Sequence, residues 1–533
     1  MFGRWEILFF QYLKRDFKKI IFWVVGLGLF SAAFVPAFEE IAKGQGAFGF
    51  FETMQNPAMI AIVGPTPIET ATEYTIGAMY SHEMLLFCSL FAMVVSILHV
   101  IGHTRKEEDL GLTELIRSFQ VGRQANSLAV ILETLLINAM LVIFIAVIMV
   151  SFGVETVTFE GAVLFAFSVG LSGVFGAVLA LLVAQIMSTS AAATGVSLAV
   201  LGFLYILRGL TDIVNVSWSM LNPMGWLYLT FPFTENNWLP VGLELIFCFL
   251  LLCFALILEG KRDVGAGFIP EKEGRANAKA SLLSVPGIFI RLNRGLIVSW
   301  LIAYLVLGAA YGAIYGDMAS FLEGNDLLKL MFTFSGVTIE ESFTAVIMMV
   351  MVSLVTILPL VLINRLFSYE KNLYLSQIHG TKVKRRDLYW TNIVLAVLVA
   401  VLGFLFTVGG LAGAALSVMQ SQQMSFSDFL LIGFNLFPTI LFFIGFAALV
   451  VGWIPRFGSL LYIYLAYAFF LNYFQNLVEF PTWLLNTSPQ NWLPMIPLES
   501  FQLNIFATIL VVSLVMMLVG GIGYGYRDRL EGA

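Results

Sequence analysis

The sequence predicts an all-α polytopic membrane protein of about twelve transmembrane helices, built as two parallel six-helix halves. Three observations carry this. Hydrophobic residues make up 59% of the chain and charged residues only 12%, and mean hydropathy is +0.91, well above the composition of ordinary soluble domains. Apolar stretches long enough to cross about 30 Å of hydrocarbon recur along the whole chain. Short motifs also reappear in the same order, one half-length later.

The first six stretches lie at about 20–37, 83–103, 128–152, 161–187, 192–210 and 239–259. The second six lie near 296–315, 342–364, 390–415, 429–454, 458–477 and 503–525. They are continuous apolar runs rather than the alternating strands of a membrane β-barrel, so helices are the only way to satisfy their backbone groups in lipid. The opening peptide, "GRWEILFFQYLKRDFKK", places Trp5, Leu8, Phe9, Leu13 and Phe17 near helical spacing, with Lys14, Arg15, Lys18 and Lys19 at its end. It predicts a helix lying in the headgroup plane before the chain turns into the membrane; the alternative is a longer first span with basic flanks. No small-residue cleavage site follows, so a removable signal peptide is not expected.

Lysine and arginine in loops set orientation. With the N-terminus inside, only Lys43, Arg208 and Lys329 of the 28 basic residues fall outside or at an outer helix end. Both termini are therefore expected in the cytoplasm. The net charge of −6 says little about partners, and none is expected to be nucleic acid. Cys88, Cys248 and Cys253 fall inside predicted spans and read as packing residues. His82, His99, His103 and His379 show no ligand pattern, so no metal site is expected. The long outer loops, at about 55–83 and 222–240, hold few charges and are candidates for re-entrant or capping segments.

The repeat is visible in three places. Glu108, Ile116, Val121 and Arg123 recur as Glu370, Ile378, Val383 and Arg385, all 262 positions on. Pro223 and Trp226 recur as Pro489 and Trp492, 266 positions on, and Arg262-Asp263 as Arg527-Asp528, 265 positions on. The halves are accordingly 1–265 and 286–533, joined by a cytoplasmic linker at 266–285 rich in Gly, Ala, Pro and charge. Six spans per half is an even number, so the halves run parallel, unlike inverted transporter repeats.

Between the second and third spans stands "EEDLGLTELIRSFQVGR". Leu112, Leu115, Ile116 and Phe119 fall on one helical face, and Glu107, Glu108 and Asp109 suit a helix N-terminus. An amphipathic helix is expected here, once per half. This segment resembles the loop of ABC-2-type transporter permeases. With the doubled length, "NPMGW" and "RDVGAGFIP", the chain most resembles bacterial polyketide-antibiotic exporter permeases of the tetronasin-resistance type. The second copy departs from the pattern, with Leu373 for Gly111 and Ser376 for Glu114. The resemblance implies that the loop is a coupling helix docking on a separate nucleotide-binding ATPase subunit, of which two copies would serve one chain. Its residues would be Glu107, Glu108, Gly111, Glu114, Ile116, Phe119, Val121 and Arg123, with Glu370, Ile378, Val383 and Arg385 in the second half. It further implies export of a hydrophobic or amphiphilic compound.

The chain itself carries no P-loop. Its one Gly-Lys pair, Gly260-Lys261, is followed by Arg262, and Ala255 stands where the first glycine is required. No cofactor is therefore expected in this chain, and ATP and magnesium belong to the partner. Candidates for the transport path or gate are Glu133 in the third span, Asn472 and Gln475 in the aromatic eleventh span, Trp226 and Trp492. Asn476 and Glu244, the latter near the outer end of the sixth span, are further intramembrane polar groups. Gly170, Gly173 and Gly176 suit close helix packing. Two other functional classes fit twelve spans: an ion-coupled antiporter, and a sensor or scaffold that transports nothing. Against the antiporter, the loop before the third span lacks the major-facilitator pattern, and membrane-centre acids are scarce.

Overall fold

A computed structural model describes residues 1–42, 46–55, 57–269, 274, 276–317, 336–419, 424–475 and 480–527. Lys43, Lys329, Asn476, Asp528 and part of the linker lie outside the described residues. Every regular element among the described residues is helical, and the chain forms two compact units, Met1–Gly274 and Arg275–Ala533.

The first unit contains α1 (Trp5–Phe30), α2 (Ile76–His103), two short helices α3 (Arg105–Asp109) and α4 (Leu112–Arg117), then α5 (Ala125–Ser151), α6 (Phe159–Ile186), α7 (Ser190–Val214) and α8 (Leu239–Lys261). The second contains α9 (Val285–Ala313), α10 (Ile339–Lys371), the short α11 (Ser376–His379), α12 (Arg385–Val418), α13 (Phe426–Trp453), α14 (Leu460–Phe474) and α15 (Leu503–Tyr526). Eleven helices among the described residues are long and apolar enough to cross a membrane. The stretch expected as the eleventh span, 458–477, is the shorter helix α14, whose 15 residues rise only about 22 Å.

Local sequence sets several starts. The side chains of Thr75, Thr158, Thr189 and Ser284 accept a backbone N–H from the first turn of α2, α6, α7 and α9, and Thr338 with Glu341 forms a capping box on α10. Pro359 inside α10 removes the N–H that would bond the Val355 carbonyl. The hydroxyl of Tyr304, on α9, donates toward the carbonyls of Leu354 (3.2 Å) and Val355 (3.4 Å), so the freed acceptor is satisfied inside the protein, as lipid requires.

The opening segment differs from expectation. α1 runs unbroken from Trp5 to Phe30, without a turn after the basic cluster. The face that packs is Tyr12, Asp16 and Ile20, while Phe10 and Phe17 are exposed. Of the expected apolar face, Trp5, Leu8, Phe9 and Leu13 are half-buried, with Leu8 and Phe9 packed on the core, and only Phe17 is exposed.

In the first unit α6 is the central helix: 83% of its most apolar window is buried, against 17% for α7. Its glycines permit this. A Cβ at Gly176 would lie 2.6 Å from the Met93 carbonyl oxygen of α2, and one at Gly173 would overlap the Asn138 side chain of α5. In the second unit the corresponding place is held by α10, 78% buried, packed against α12 and α13. The segments between α1 and α2 and between α7 and α8 form a largely helical cover: Val35–Ile41, Gly46–Met54, Pro57–Val63 and Pro223–Tyr228. Val35, Phe38, Val63, Met224 and Leu227 are buried there. A buried ion pair, Arg208 with Asp212 at 3.0 Å, ties this cover together, because Arg208 also donates to the carbonyls of Ala61 (2.6 Å) and Ile62 (2.7 Å).

Candidate functional site

The segment between α2 and α5 is two short helices with a bend between them, rather than one amphipathic helix. The bend is Gly111, in the left-handed region at φ +73°. Its counterpart Leu373 adopts φ +62°, so the second copy keeps the same backbone turn with a residue that pays for it in steric strain. Glu107 and Glu108 lie in the first turn of the five-residue α3, which Asp109 ends.

Two features that the sequence presents as separate repeats are partners in space. Glu108 binds Arg262, at the C-terminal end of α8, through two bonds of 2.9 Å. It also accepts from Arg105 (2.9 Å) and from the Gly265 N–H (2.7 Å). In the second unit Glu370 binds Arg527 at the end of α15 and accepts from the Tyr524 hydroxyl. Arg123 donates to the backbone carbonyl of Arg262, and Arg385 donates to that of Arg527 at 2.9 Å. Each unit thus contains the same clasp: a glutamate after its second span and an arginine before its third, both holding the arginine that ends its last span. The side chains of the two ion pairs are at most 9% exposed.

The clasp removes several expected docking residues from the surface. Glu107 is buried, accepting from Arg15 (2.8 Å) and Tyr12 (3.2 Å) of α1. Ile116, Val121, Ile378, Val383 and Arg385 are half-buried. Gly111, Glu114 and Arg123 stay exposed, together with an apolar set, Leu110, Leu112, Leu115 and Phe119, with Leu115 61% and Phe119 65% exposed. In the second unit the presented pair is Leu373 and Tyr374. Leu110 and Tyr374 were not among the expected residues, because periodicity does not reveal which apolar side chains lack a neighbour. Partial burial draws the Arg117 guanidinium below its ordinary value, against the opposing pull of Glu259 and Glu108. The N-terminus braces the segment, with the Gly122 N–H bonded to the Gly3 carbonyl at 2.9 Å and Arg4 to Gln120 at 3.1 Å.

The candidate path residues are not gathered at one place. Trp226 donates its indole N–H to the Met220 carbonyl (2.7 Å), and Trp492 donates to that of Asn486 (2.7 Å). Each also meets a phenylalanine edge-on, Phe247 and Phe442 respectively. Both therefore lock their own loops in the same way. Asn472 is buried and bonds the Ala468 carbonyl and Ser488, and Gln475 is half-buried at the end of α14. Glu244 is buried in α8.

Glu133 lies in a polar cluster that the sequence reading missed. It is fully buried, 3.2 Å from His99 of α2. His99 stacks on His103, which faces Asp16 of α1 at 2.7 Å. Arg15 joins Asp16 (3.1 Å) to Glu107 (2.8 Å). A polar path thus runs from the third span to the segment between α2 and α5. The one available signal was the i, i+4 spacing of the two histidines.

Residues 282–525 match the family model described as the C-terminal domain of the multidrug efflux system permease Rv1217c. The whole chain is similar to the multidrug efflux system permease protein Rv1217c of Mycobacterium tuberculosis strain H37Rv, with 25% identity over 97% of this chain and 94% of that protein. Homology over nearly the full length, carried by eleven helices long and apolar enough to cross a membrane, supports a place for this protein among the multi-pass transport permeases.

Proposed function

We propose that this chain is the membrane permease of an ATP-binding-cassette exporter that moves a hydrophobic or amphiphilic compound out of the cell. Hydrolysis belongs to a separate ATPase subunit, two copies per permease, one for each clasped segment. The observation that carries this reading is the exposed apolar set Leu110, Leu112, Leu115 and Phe119, held on a segment fixed to the ends of α1, α2 and α8. Side chains of this kind, presented on a rigid mount, are what a partner's groove needs in order to transmit a push. The full-length similarity to a protein described as a multidrug efflux permease supports efflux and a broad apolar substrate class. An apolar groove of about 360 Å³ lined by Phe404, Leu405, Leu431 and Phe434 suits a compound arriving from the bilayer. On this reading the protein sits in a bacterial plasma membrane with both termini in the cytoplasm, and the exposed docking residues among those expected from the sequence are Gly111, Glu114, Phe119 and Arg123.

The test is co-purification with a co-expressed P-loop ATPase, followed by hydrolysis assays across amphiphilic drugs. A Leu115→Ser/Phe119→Ser variant should fold, lose the ATPase subunit and show no drug-stimulated hydrolysis. Full retention of both by that variant would remove the docking assignment. Drug export that persists without any ATPase and follows an ion gradient would favour an antiporter.

A further inference from the structure

We infer that the C-terminal end of α2 carries a transition-metal site whose ligands are His99, His103 and Glu133, with Asp16 as the carboxylate that supports it beside His103. One ligand atom from each of the first three lies within 4.8 Å of the other two. Two ligands about 2.1 Å from a tetrahedral ion are roughly 3.4 Å apart. His99 Nε2 and Glu133 Oε2 are already at 3.2 Å, and closing the trio from 4.8 Å or less to that spacing takes side-chain adjustments of about an ångström.

The hydrogen bonding points the same way. His103 Nδ1 lies 2.9 Å from the His99 carbonyl, an acceptor only, so Nδ1 carries the proton. That outer bond leaves Nε2 as the nitrogen through which the imidazole would ligate. Nε2 in turn faces a carboxylate oxygen, Asp16 Oδ2, at 2.7 Å. A 2.7 Å separation is that of a hydrogen bond, so a proton lies between them here, and an ion bound at Nε2 must displace that proton and spread the pair to about 3.4 Å. Glu133 is 0% exposed, and its second oxygen, Oε1, has no hydrogen-bond partner among the described residues. A buried carboxylate with an unsatisfied oxygen beside two imidazoles is costly unless a cation completes it.

The donor set selects the ion. Two imidazoles with carboxylates suit zinc, iron, nickel or manganese, whereas calcium and magnesium favour all-oxygen shells. Asp16 is held by Lys19 (2.8 Å) and Arg15 (3.1 Å), which orient it from the cytoplasmic side. The site draws on α1, α2 and α5 together. A bound ion would pin these three helices directly behind Glu107, which Arg15 links to Asp16. The site stands whether or not an ATPase docks on the segment beyond it.

The experiment is metal analysis of the full chain purified in mild detergent, then chelation and titration with Co²⁺, read by visible d–d absorption. The expected result is one ion per chain as purified, and a stoichiometric cobalt spectrum after chelation. His99→Phe should abolish the spectrum, and Asp16→Asn should weaken binding by about 10- to 100-fold. His99→Cys keeps a ligand and should retain cobalt with an added thiolate charge-transfer band, which separates lost coordination from lost folding. Wild-type protein that takes up no cobalt, or a His99→Phe protein that binds it unchanged, would overturn the site and leave a proton between Asp16 and His103.

Discussion

The clasp between Glu108 and Arg262 makes the sharpest prediction for stability. Replacing Glu108 with Ala removes two 2.9 Å bonds to Arg262, one to Arg105 and the acceptor of the Gly265 N–H. The side chains of Glu108, Arg262 and Arg105 are 7%, 9% and 1% exposed, so water cannot readily replace what is lost. Breaking a buried pair from one side costs about 3–5 kcal/mol, chiefly because the remaining charge stays buried without its partner. A Glu108→Gln change keeps an acceptor for Gly265 and should cost less. Arg262→Ala should be similarly severe alone, and the double Ala variant should be much less destabilised than the sum, since the two residues share one interaction. The assay is equilibrium unfolding in mixed micelles for both singles and the double. A Glu108→Ala cost below about 0.5 kcal/mol, the level of an ordinary surface change, would refute the clasp as a stabilising device. The same cycle on Glu370 and Arg527 should give a coupling of the same sign.

Tyr304→Phe strips the hydroxyl that serves the carbonyls opposite Pro359; unfolding in micelles should show a loss of about 1–3 kcal/mol, and an unchanged midpoint would mean that the helix satisfies itself there. Leu373→Gly relieves a positive φ on a residue with a Cβ and should stabilise by up to about 1 kcal/mol, read in the same assay; destabilisation would show that the Leu373 side chain is needed by the fold. Gly176→Ala forces a Cβ against the Met93 backbone, and a cost of about 1–3 kcal/mol is expected, with no loss at all indicating looser packing of α2 on α6.

The positions of the membrane helices were legible because lipid leaves little choice: a run of about 20 apolar residues must be a helix. The shorter α14 and the unbroken α1 were less legible. Composition marks a stretch as apolar, but neither reports where neighbouring helices end the need for length nor distinguishes a lipid-facing side chain from a packed one. Phe17 and Asp16 make the point. Helical spacing placed Phe17 on an apolar face and said nothing of Asp16, yet Phe17 is 60% exposed and Asp16 is 1%, since in a membrane the apolar side chain needs no shelter and the acid does.

What the sequence by itself determined was the class, the span positions and the repeated residues Glu108, Arg123 and Arg262 with their counterparts Glu370, Arg385 and Arg527. Spacing along the chain preserved these because each half must rebuild the same local geometry. Only the tertiary structure decided that they hold one another, that Trp226 and Trp492 lock loops, and that His99, His103, Glu133 and Asp16 converge. Such contacts join residues 87 positions apart, as in Asp16 with His103, or 154, as in Glu108 with Arg262. They depend on which helix faces pack together, and helix packing is set by the fit of many small and apolar side chains at once rather than by any motif along one segment.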